Sequence, residues 1–388
     1  MGRVLLTNGQ LRKTLAAARS LGEKGIEVLV ADETRFTPAA FSKYCSKSLV
    51  YPSPAKSPER FYQWLINTVK EHNCDVVFPM DDDIIEIVME HREELESLCR
   101  LPLASSEGYR IASDKGEAVK FAMKRNVKCP ETFFPSSFEE LTDTSAEMKY
   151  PVLLKPRKSS GARGIRIIND RHSLLSEYKE IHKKYPYPFI QEYMEPGPLF
   201  DVLLLYNSKS QLRGSFIQKI IRKYPIEVGP STMQESVKYP QLLDMAVELM
   251  DKLEWQGLAD LEFMIDKRDG RLKFIEINPR FWNSLYISIL AGVDFPWLTY
   301  KMLMDGDVEG VFDYKTGIKC RNMLPGELLH FLANKSRFKM SPPLFSGKRK
   351  GVFDDIMSFK DPMPTLGFFM ACGRYLFDID MWRLMFKR

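Results

Sequence analysis

The stretch from Leu258 to Asn278 constrains the fold of this 388-residue chain more than any other part of it. Leu258 to Ile265 and Leu272 to Asn278 are apolar runs joined through Asp269-Gly270, a dipeptide that favours the positive backbone angles of a tight hairpin turn. Side chains alternate along a strand, so Glu276 and Asn278 share one face, and Asp260 and Glu262 share one face of the partner. Pairing through the turn brings Glu262 opposite the Glu276–Asn278 region, with Arg280 just beyond. Phe274, Ile275 and Ile277 mark the strand as half-buried, where unpaired polar groups cost several kcal/mol. A solvent-facing edge carrying unrelated acids would not need those apolar neighbours. Two carboxylates and an amide oxygen form an all-oxygen set suited to Mg²⁺, which completes its shell with water and phosphate oxygens.

The first hundred residues alternate strand and helix. Val4 to Thr7 reads as a strand, Asn8-Gly9-Gln10 as a turn, and Leu11 to Lys24 as a helix stopped by Gly25. Ile26 to Ala31 is a second strand, Phe61 to His72 a helix, and Asp75 to Pro79 a third strand. This order predicts a doubly wound parallel sheet. The fold class expected is α/β followed by α+β: a Rossmann-like domain over 1–104, a small lobe over 105–188, a large lobe over 189–332 and an extension over 333–388. Asp32 lies where a ribose-binding acid could stand, but only Gly9 occupies the first turn and GxGxxG is absent, which argues against the dinucleotide reading. That turn, with Asn8, Gly9 and Arg12, suits a substrate carboxylate. Met80-Asp81-Asp82-Asp83 suits either the amine end of an amino acid or an N-cap for a helix over Ile84–His91.

Composition removes several function classes. The net charge of +5 suits an enzyme that handles anionic phosphates, and no basic stretch interleaved with aromatics reads as a nucleic-acid track. Six scattered cysteines, without a CxxC pair, argue against zinc and disulfides and for a reducing compartment. The N-terminus lacks the apolar core of a signal peptide, and no apolar run approaches a spanning helix. A cytoplasmic protein is therefore expected. The tail, Leu366 to Ala371 and Tyr375 to Phe386, is apolar with Arg374, Arg383, Lys387 and Arg388 nearby. Packing on the catalytic domain or on a second subunit is preferred to a membrane-surface helix, because Asp378 and Asp380 interrupt its basic character.

Two further elements accompany the hairpin. Pro151 to Lys155 ends a strand at a lysine, and Arg157-Lys-Ser-Ser-Gly-Ala-Arg-Gly164 follows as a flexible basic loop whose N–H groups can fold over phosphates. It is not a Walker loop. Phe189-Ile-Gln-Glu-Tyr-Met194 reads as a strand that can present backbone groups and a side-chain acceptor to an adenine edge.

In this order the elements resemble the ATP-grasp superfamily, and within it the carboxylate–amine ligase-like enzymes related to D-aspartate ligase and the carbamoyl-phosphate-synthase-like proteins. The resemblance spans about residues 1–332 and is strongest over Phe274-Ile-Glu-Ile-Asn-Pro-Arg-Phe-Trp-Asn-Ser284 and Ala291-Gly-Val-Asp-Phe-Pro296. It implies a pre-ATP-grasp domain followed by the two-lobed ATP-grasp module. It further implies that Lys115 and Lys155 are the two nucleotide lysines, and that Ser160, Gly161 and Gly164 form the lid over the phosphates. Gln191 would meet the adenine amino group through its side chain, and Glu192 and Met194 would read the adenine edge through the main chain. Glu262, Glu276 and Asn278 would hold two Mg²⁺ ions, with Mn²⁺ as a substitute. Arg280 would steady the transferred phosphoryl group, and Lys219 and Arg222 would face phosphate and substrate. Two departures stand out. Glu195-Pro-Gly-Pro198 has no ribose-binding acid at the expected place, leaving Asp201 or Glu195 as substitutes, and Asn283 replaces a common glycine, which narrows the substrate pocket. The activity implied is an ATP-dependent, ADP-forming ligase that joins a small carboxylate to an amine. Bicarbonate activation of the carbamoyl-phosphate or carboxylase kind, and a non-catalytic ATP-binding regulator, are the alternatives. A homodimer is compatible with the same resemblance.

Overall fold

The computed structural model describes residues 2–159, 163–227, 229–347 and 351–375. Its architecture rests on three sheets. The first is four-stranded and parallel, in the order Cys45–Val50, Glu27–Asp32, Arg3–Leu6, Val76–Phe78. Helices Arg12–Glu23 and Pro58–His72 cover it, burying Leu15, Ala18 and Leu21 on one face and Phe61, Leu65 and Val69 on the other. This is the doubly wound domain that the alternation predicts. Cys45–Val50 escaped the sequence reading because it is an edge strand of mostly polar, partly exposed residues.

The second sheet has seven strands, in the order Leu272–Asn278, Gly257–Ile265, Leu199–Tyr206, Leu212–Lys223, Ser231–Ser236, Lys319–Arg321, Val352–Asp354. The predicted hairpin forms its edge, with Gly270 at φ +68° in the turn. One face of this sheet packs with the first domain and with helices Leu285–Ala291 and Phe295–Asp305, through Leu203, Leu205, Phe216 and Phe281. The other face buries Val202, Leu204, Leu261, Phe263 and Phe274 beneath helix Pro240–Asp251 and helices Ser106–Ser113 and Lys115–Met123. Those last two helices therefore belong to the large sheet's core, although the sequence reading placed 105–188 in the small lobe.

The third sheet, in the order Thr132–Phe133, Phe189–Glu192, Val152–Lys155, Arg166–Ile168, is antiparallel. Phe189–Glu192, expected at the start of the large lobe, is thus a strand of the small one. Its pairing partners are distant in sequence, and nothing in the four residues Phe-Ile-Gln-Glu reveals which neighbours they join.

The extension after 333 is an integral part of the fold. Val352–Asp354 adds a parallel strand to the large sheet. Asp355 then ion-pairs with Arg12, and Asp361 accepts from Arg19 Nε at 2.9 Å, from Ser42 Oγ at 2.7 Å and from the Lys43 N–H at 3.0 Å. Arg19 also donates to the carbonyls of Asp355, Ile356 and Asp361. Arg12, read from sequence as a substrate-carboxylate candidate, is therefore committed to this junction. Removing one partner of a buried, hydrogen-bonded ion pair leaves the other unpaired. Arg19→Ala is expected to destabilise the chain by about 3 kcal/mol or more in urea unfolding. An unchanged midpoint would show that the extension is held by other contacts.

Candidate active site

Strand register places Glu276 opposite Glu262, Glu262 opposite Asp201, and Asp201 opposite Gln218. Three carboxylates thus stand side by side across adjacent antiparallel strands, and Asp260 and Asn278 oppose each other one step along the same face. Directly opposed side chains have Cβ atoms about 5 Å apart, and like charges there repel. The sheet can hold this arrangement only with cations, protons or hydrogen-bond donors between the acids.

Each of these appears. The Lys115 ammonium, at the start of helix Lys115–Met123, ion-pairs with Glu276, whose other oxygen accepts from Asn278 Nδ2 at 3.3 Å. Burial pushes the Glu276 carboxyl up, but the charge and hydrogen bond of Lys115, together with Lys155, outweigh it and hold that carboxyl below its usual range. Burial first, then the Glu276 and Asp260 carboxylates, push Glu262 up to about 8. Asp201 and Asp260 are driven well above the carboxylate range, each by burial first and a neighbouring carboxylate second. Asp201 accepts from Gln218 Nε2 at 2.5 Å, and one oxygen of the buried Asp260 has no partner.

Lys155 ends its strand pointing toward these acids. Burial lowers it to about 8, against the opposing pull of Glu276. Its ammonium donates to Gln191 Oε1 at 2.7 Å, and Gln191 Nε2 donates to Thr132 Oγ1 at 2.9 Å. The Gln191 side chain, expected to meet adenine, is therefore buried between two protein groups in this state. Glu192 accepts from Arg268 at 2.7 Å and from the Glu131 N–H at 2.9 Å, and Met194 is buried just past the strand end. The loop after Lys155 is tied down by Arg157, which donates to Asp114 at 2.8 Å and Glu117 at 2.7 Å. Gly164 has φ +77°, and a Cβ there would lie 2.8 Å from Pro156, so the loop's return requires glycine. Ser160 and Gly161 lie outside the described residues.

Arg280 joins the two halves of the cleft. It donates to Asp82 at 2.8 Å and to Asn278 Oδ1 at 3.2 Å. Lys13, wholly buried, donates to Asp81 at 2.9 Å and to the Phe281 carbonyl at 3.1 Å. Asp81 and Asp82 thus serve these cations. Asp81 is the residue before helix Asp82–Glu90 but makes no side-chain cap. A pocket of about 210 Å³ opens here, lined by Asp82, Asp83, Lys115, Lys158 and Asn278 among others.

Two expected residues do not reach this cleft. Lys219 pairs with Phe200, which faces the core on the opposite side of the sheet. Arg222 is turned away by a register shift between Ile220 and Arg222, and it ion-pairs with the fully buried Glu327 at 2.7 Å. The next residue, Lys223, donates to the Glu227 carbonyl at 2.8 Å and lies within electrostatic reach of Glu262 and Asp201. Burial lowers it, opposed by Glu262 and then Asp201. Strand alternation counted from Gln218 could not have found it, because the bulge breaks the count. Glu195 and Asn283 are exposed.

Among the described residues, no group of three or more His, Cys, Asp or Glu side chains is arranged to hold a metal ion. A cation here would rest on two carboxylates and one amide, and would need further oxygens from water or phosphate. The Lys115 ammonium on Glu276 shows that the position accepts positive charge.

The model of the ATP-grasp domain family matches residues 112–284, a span that holds Lys115, Lys155, Gln191, Glu262, Glu276, Asn278 and Arg280. The carbamoyl phosphate synthase large chain of Archaeoglobus fulgidus is 22% identical over 228 residues, 55% of this chain and 20% of that protein. The chain therefore spans about a fifth of the length of that relative. The formate-dependent phosphoribosylglycinamide formyltransferase of Prochlorococcus marinus is 26% identical over 299 residues, covering 74% of this chain and 72% of that one. In structure, the biotin carboxylase of Campylobacter jejuni, solved as an ATP-analogue complex, superposes with TM-score 0.68 at 18% identity, covering 81% of this chain and 74% of that one. The biotin carboxylase domain of the Hydrogenobacter thermophilus 2-oxoglutarate carboxylase, a dimer solved with MgADP and bicarbonate, superposes with TM-score 0.67 at 16% identity, covering 82% and 73%.

The raised carboxyls make the ligand-free protein sensitive to pH. Glu262 keeps its proton up to about 8 when folded, against 4.5 ordinarily. Over that window the folded state binds more protons than the unfolded chain, so stability falls as pH rises. Asp201 and Asp260 act with the same sign. Thermal melting of Glu262→Gln is expected to show a shallower decline between these pH values than the parent. An equally steep decline would mean that Glu262 titrates normally.

Proposed function

We propose that this chain, a member of the ATP-grasp superfamily, is an ADP-forming ligase that activates a carboxylate as an acyl phosphate and joins it to an amine. The observation that carries the reading is the Glu276–Glu262–Asp201 row, with Asn278 beside it, faced by Lys115, Lys155 and Lys223 within one cleft. Acids that repel one another, beside Lys155 and Lys223 whose burial disfavours their charged form and the Lys115 ammonium paired with Glu276, form a site poised to take a metal-bound polyphosphate.

In this reading Lys115 and Lys155 hold phosphate oxygens, and Glu262, Glu276 and Asn278 hold two Mg²⁺ ions, with Mn²⁺ as a substitute. The metal, when bound, neutralises charge on the polyphosphate so that an anionic nucleophile can approach. Nucleotide binding releases Glu276 from Lys115, so the lysine trades a carboxylate for phosphate. The substrate carboxylate oxygen forms a bond to the γ-phosphorus as the bond to the β–γ bridging oxygen breaks, and ADP leaves. The amine then attacks the acyl carbon, phosphate departs, and the nitrogen loses a proton. The protein's contribution is position and charge. Arg280, next to Asn278, steadies the transferred group. Lys223 replaces Lys219 and Arg222 as the basic residue facing substrate. The loop over 157–164 excludes water from the acyl phosphate. Met194 and Glu192 present main-chain groups to adenine, and Gln191 must let go of Lys155 or Thr132 to join them. We place the protein in the cytoplasm, acting on small molecules; among the described residues no helix is long and apolar enough to cross a membrane.

Glu276→Gln and Lys155→Ala are each expected to lower turnover roughly 10²-fold or more, as for loss of a preorganised charge partner. A Glu276→Gln protein with full activity and the parent's Mg²⁺ dependence would remove the metal assignment. Phosphate release from ATP, screened across amino acids, small acids and bicarbonate, checks the reaction class. Release that depends on an organic carboxylate and grows with an added amine supports the ligase. Release with bicarbonate alone favours the carboxylase-like alternative, and no release with any acid favours a nucleotide-binding regulator.

A further inference from the structure

Helix Met363–Tyr375 carries no charged residue before Arg374. One face is packed: Pro364, Gly367 and Ala371 are buried, and a Cβ on Gly367 would lie 2.8 Å from the Thr37 carbonyl oxygen and 3.1 Å from Phe41. The asparagine, glutamate or lysine expected on the outer face of such a helix is missing. Met363, Leu366, Phe369 and Met370 stand there instead, 47%, 47%, 53% and 38% exposed. Their spacing puts them on one stripe. Beside the helix's first turn, a groove of about 890 Å³ is lined by Thr365, Pro362, Val352, Phe353 and the 88%-exposed Phe345. Apolar surface of this extent, apart from the candidate active site, marks an interaction face.

Charge identifies the occupant. Residues 335–388 hold eleven Lys and Arg against five Asp and Glu, a net +6 in a chain whose total is +5. Two of the five acids, Asp355 and Asp361, are buried against Arg12 and Arg19. Lys335, Arg337, Lys339 and Lys360 are exposed. A second copy would bring a segment of the same net positive charge against this one. An anionic lipid surface meets both demands, taking apolar side chains at the headgroup level and attracting the basic residues of the segment that carries the helix, Lys360 just before it among them.

We propose that the outer face of helix Met363–Tyr375, with Phe345, is a peripheral docking surface for an anionic bilayer. Its seat on the first domain, fixed by the Arg19–Asp361 pair just before the helix, turns the apolar stripe outward rather than across a membrane. The proposal departs from the sequence preference for a tail packed on the catalytic domain or on a second subunit. The acids cited for that preference, Asp378 and Asp380, lie outside the described residues, whereas the exposed stripe precedes them.

Flotation of the full-length protein with vesicles tests this. Vesicles of phosphatidylcholine and phosphatidylglycerol in a two-to-one ratio are expected to carry the protein upward at low salt, and phosphatidylcholine alone or high salt to release it. The Leu366→Glu/Phe369→Glu double variant is expected to bind such vesicles roughly tenfold more weakly or less, while its melting temperature and ATP turnover match the parent. Absence of binding to anionic vesicles, or equal binding by the double variant, would overturn the proposal. So would a dimer in sedimentation that the double variant dissolves without any vesicle binding, since the face would then belong to a second copy.

Discussion

Like charges forced into register are the constraint around which this molecule is organised. A hairpin and its neighbouring strand place Glu276, Glu262 and Asp201 across from one another, and the backbone ladder holds their Cβ atoms about 5 Å apart, so the three carboxyls stay neighbours on one face. The surrounding fold supplies the compensation. Helix Lys115–Met123 delivers an ammonium to Glu276 from one side, the small sheet delivers Lys155, and Lys223 arrives by way of a bulge. Gln218 and protonation accommodate the acids deepest in the sheet. Such an arrangement costs stability in the ligand-free state, and it persists in structures where a ligand relieves it.

The same logic links the first domain to the site. Lys13, buried in helix Arg12–Glu23, reaches Asp81 and the backbone of Phe281, and Arg280 reaches Asp82. Lys158, in the basic loop, ion-pairs with Glu86 at 2.6 Å. The acids after Val76–Phe78 therefore bridge the doubly wound domain to both the metal-candidate strand and the loop. The 210 Å³ pocket is bordered by Asp82, Glu86 and Lys158 from these contacts.

Much of this was legible in the sequence, for identifiable reasons. Alternating periodicities and Gly25 located the doubly wound domain, and Asp269-Gly270 fixed the hairpin whose register then dictated that Glu262 faces Glu276. What failed depended on long-range pairing or on local breaks in period. The strand Phe189–Glu192 joins partners some tens of residues away. Two helices after residue 105 pack on the large sheet, where Ile111 and Ala112 of one and Ala118 and Ala122 of the other share a core with Phe274 and Leu261. Arg222 and Lys223 exchanged roles through a bulge that leaves no mark in composition. The acids at 81–83 read equally as helix caps or ligands, and only the positions of Lys13 and Arg280 show that Asp81 and Asp82 are ion-pair partners.

The central claim is that the apposed acids await a metal-bound polyphosphate. Calorimetric titration of ATP into the protein, with and without Mg²⁺, measures this directly when repeated on the Glu262→Gln/Glu276→Gln double variant. The account predicts that Mg²⁺ tightens ATP binding to the parent by roughly tenfold or more, and leaves the variant's affinity nearly unchanged. Equal enhancement in both proteins would contradict it, because the metal would then be held without these two carboxylates.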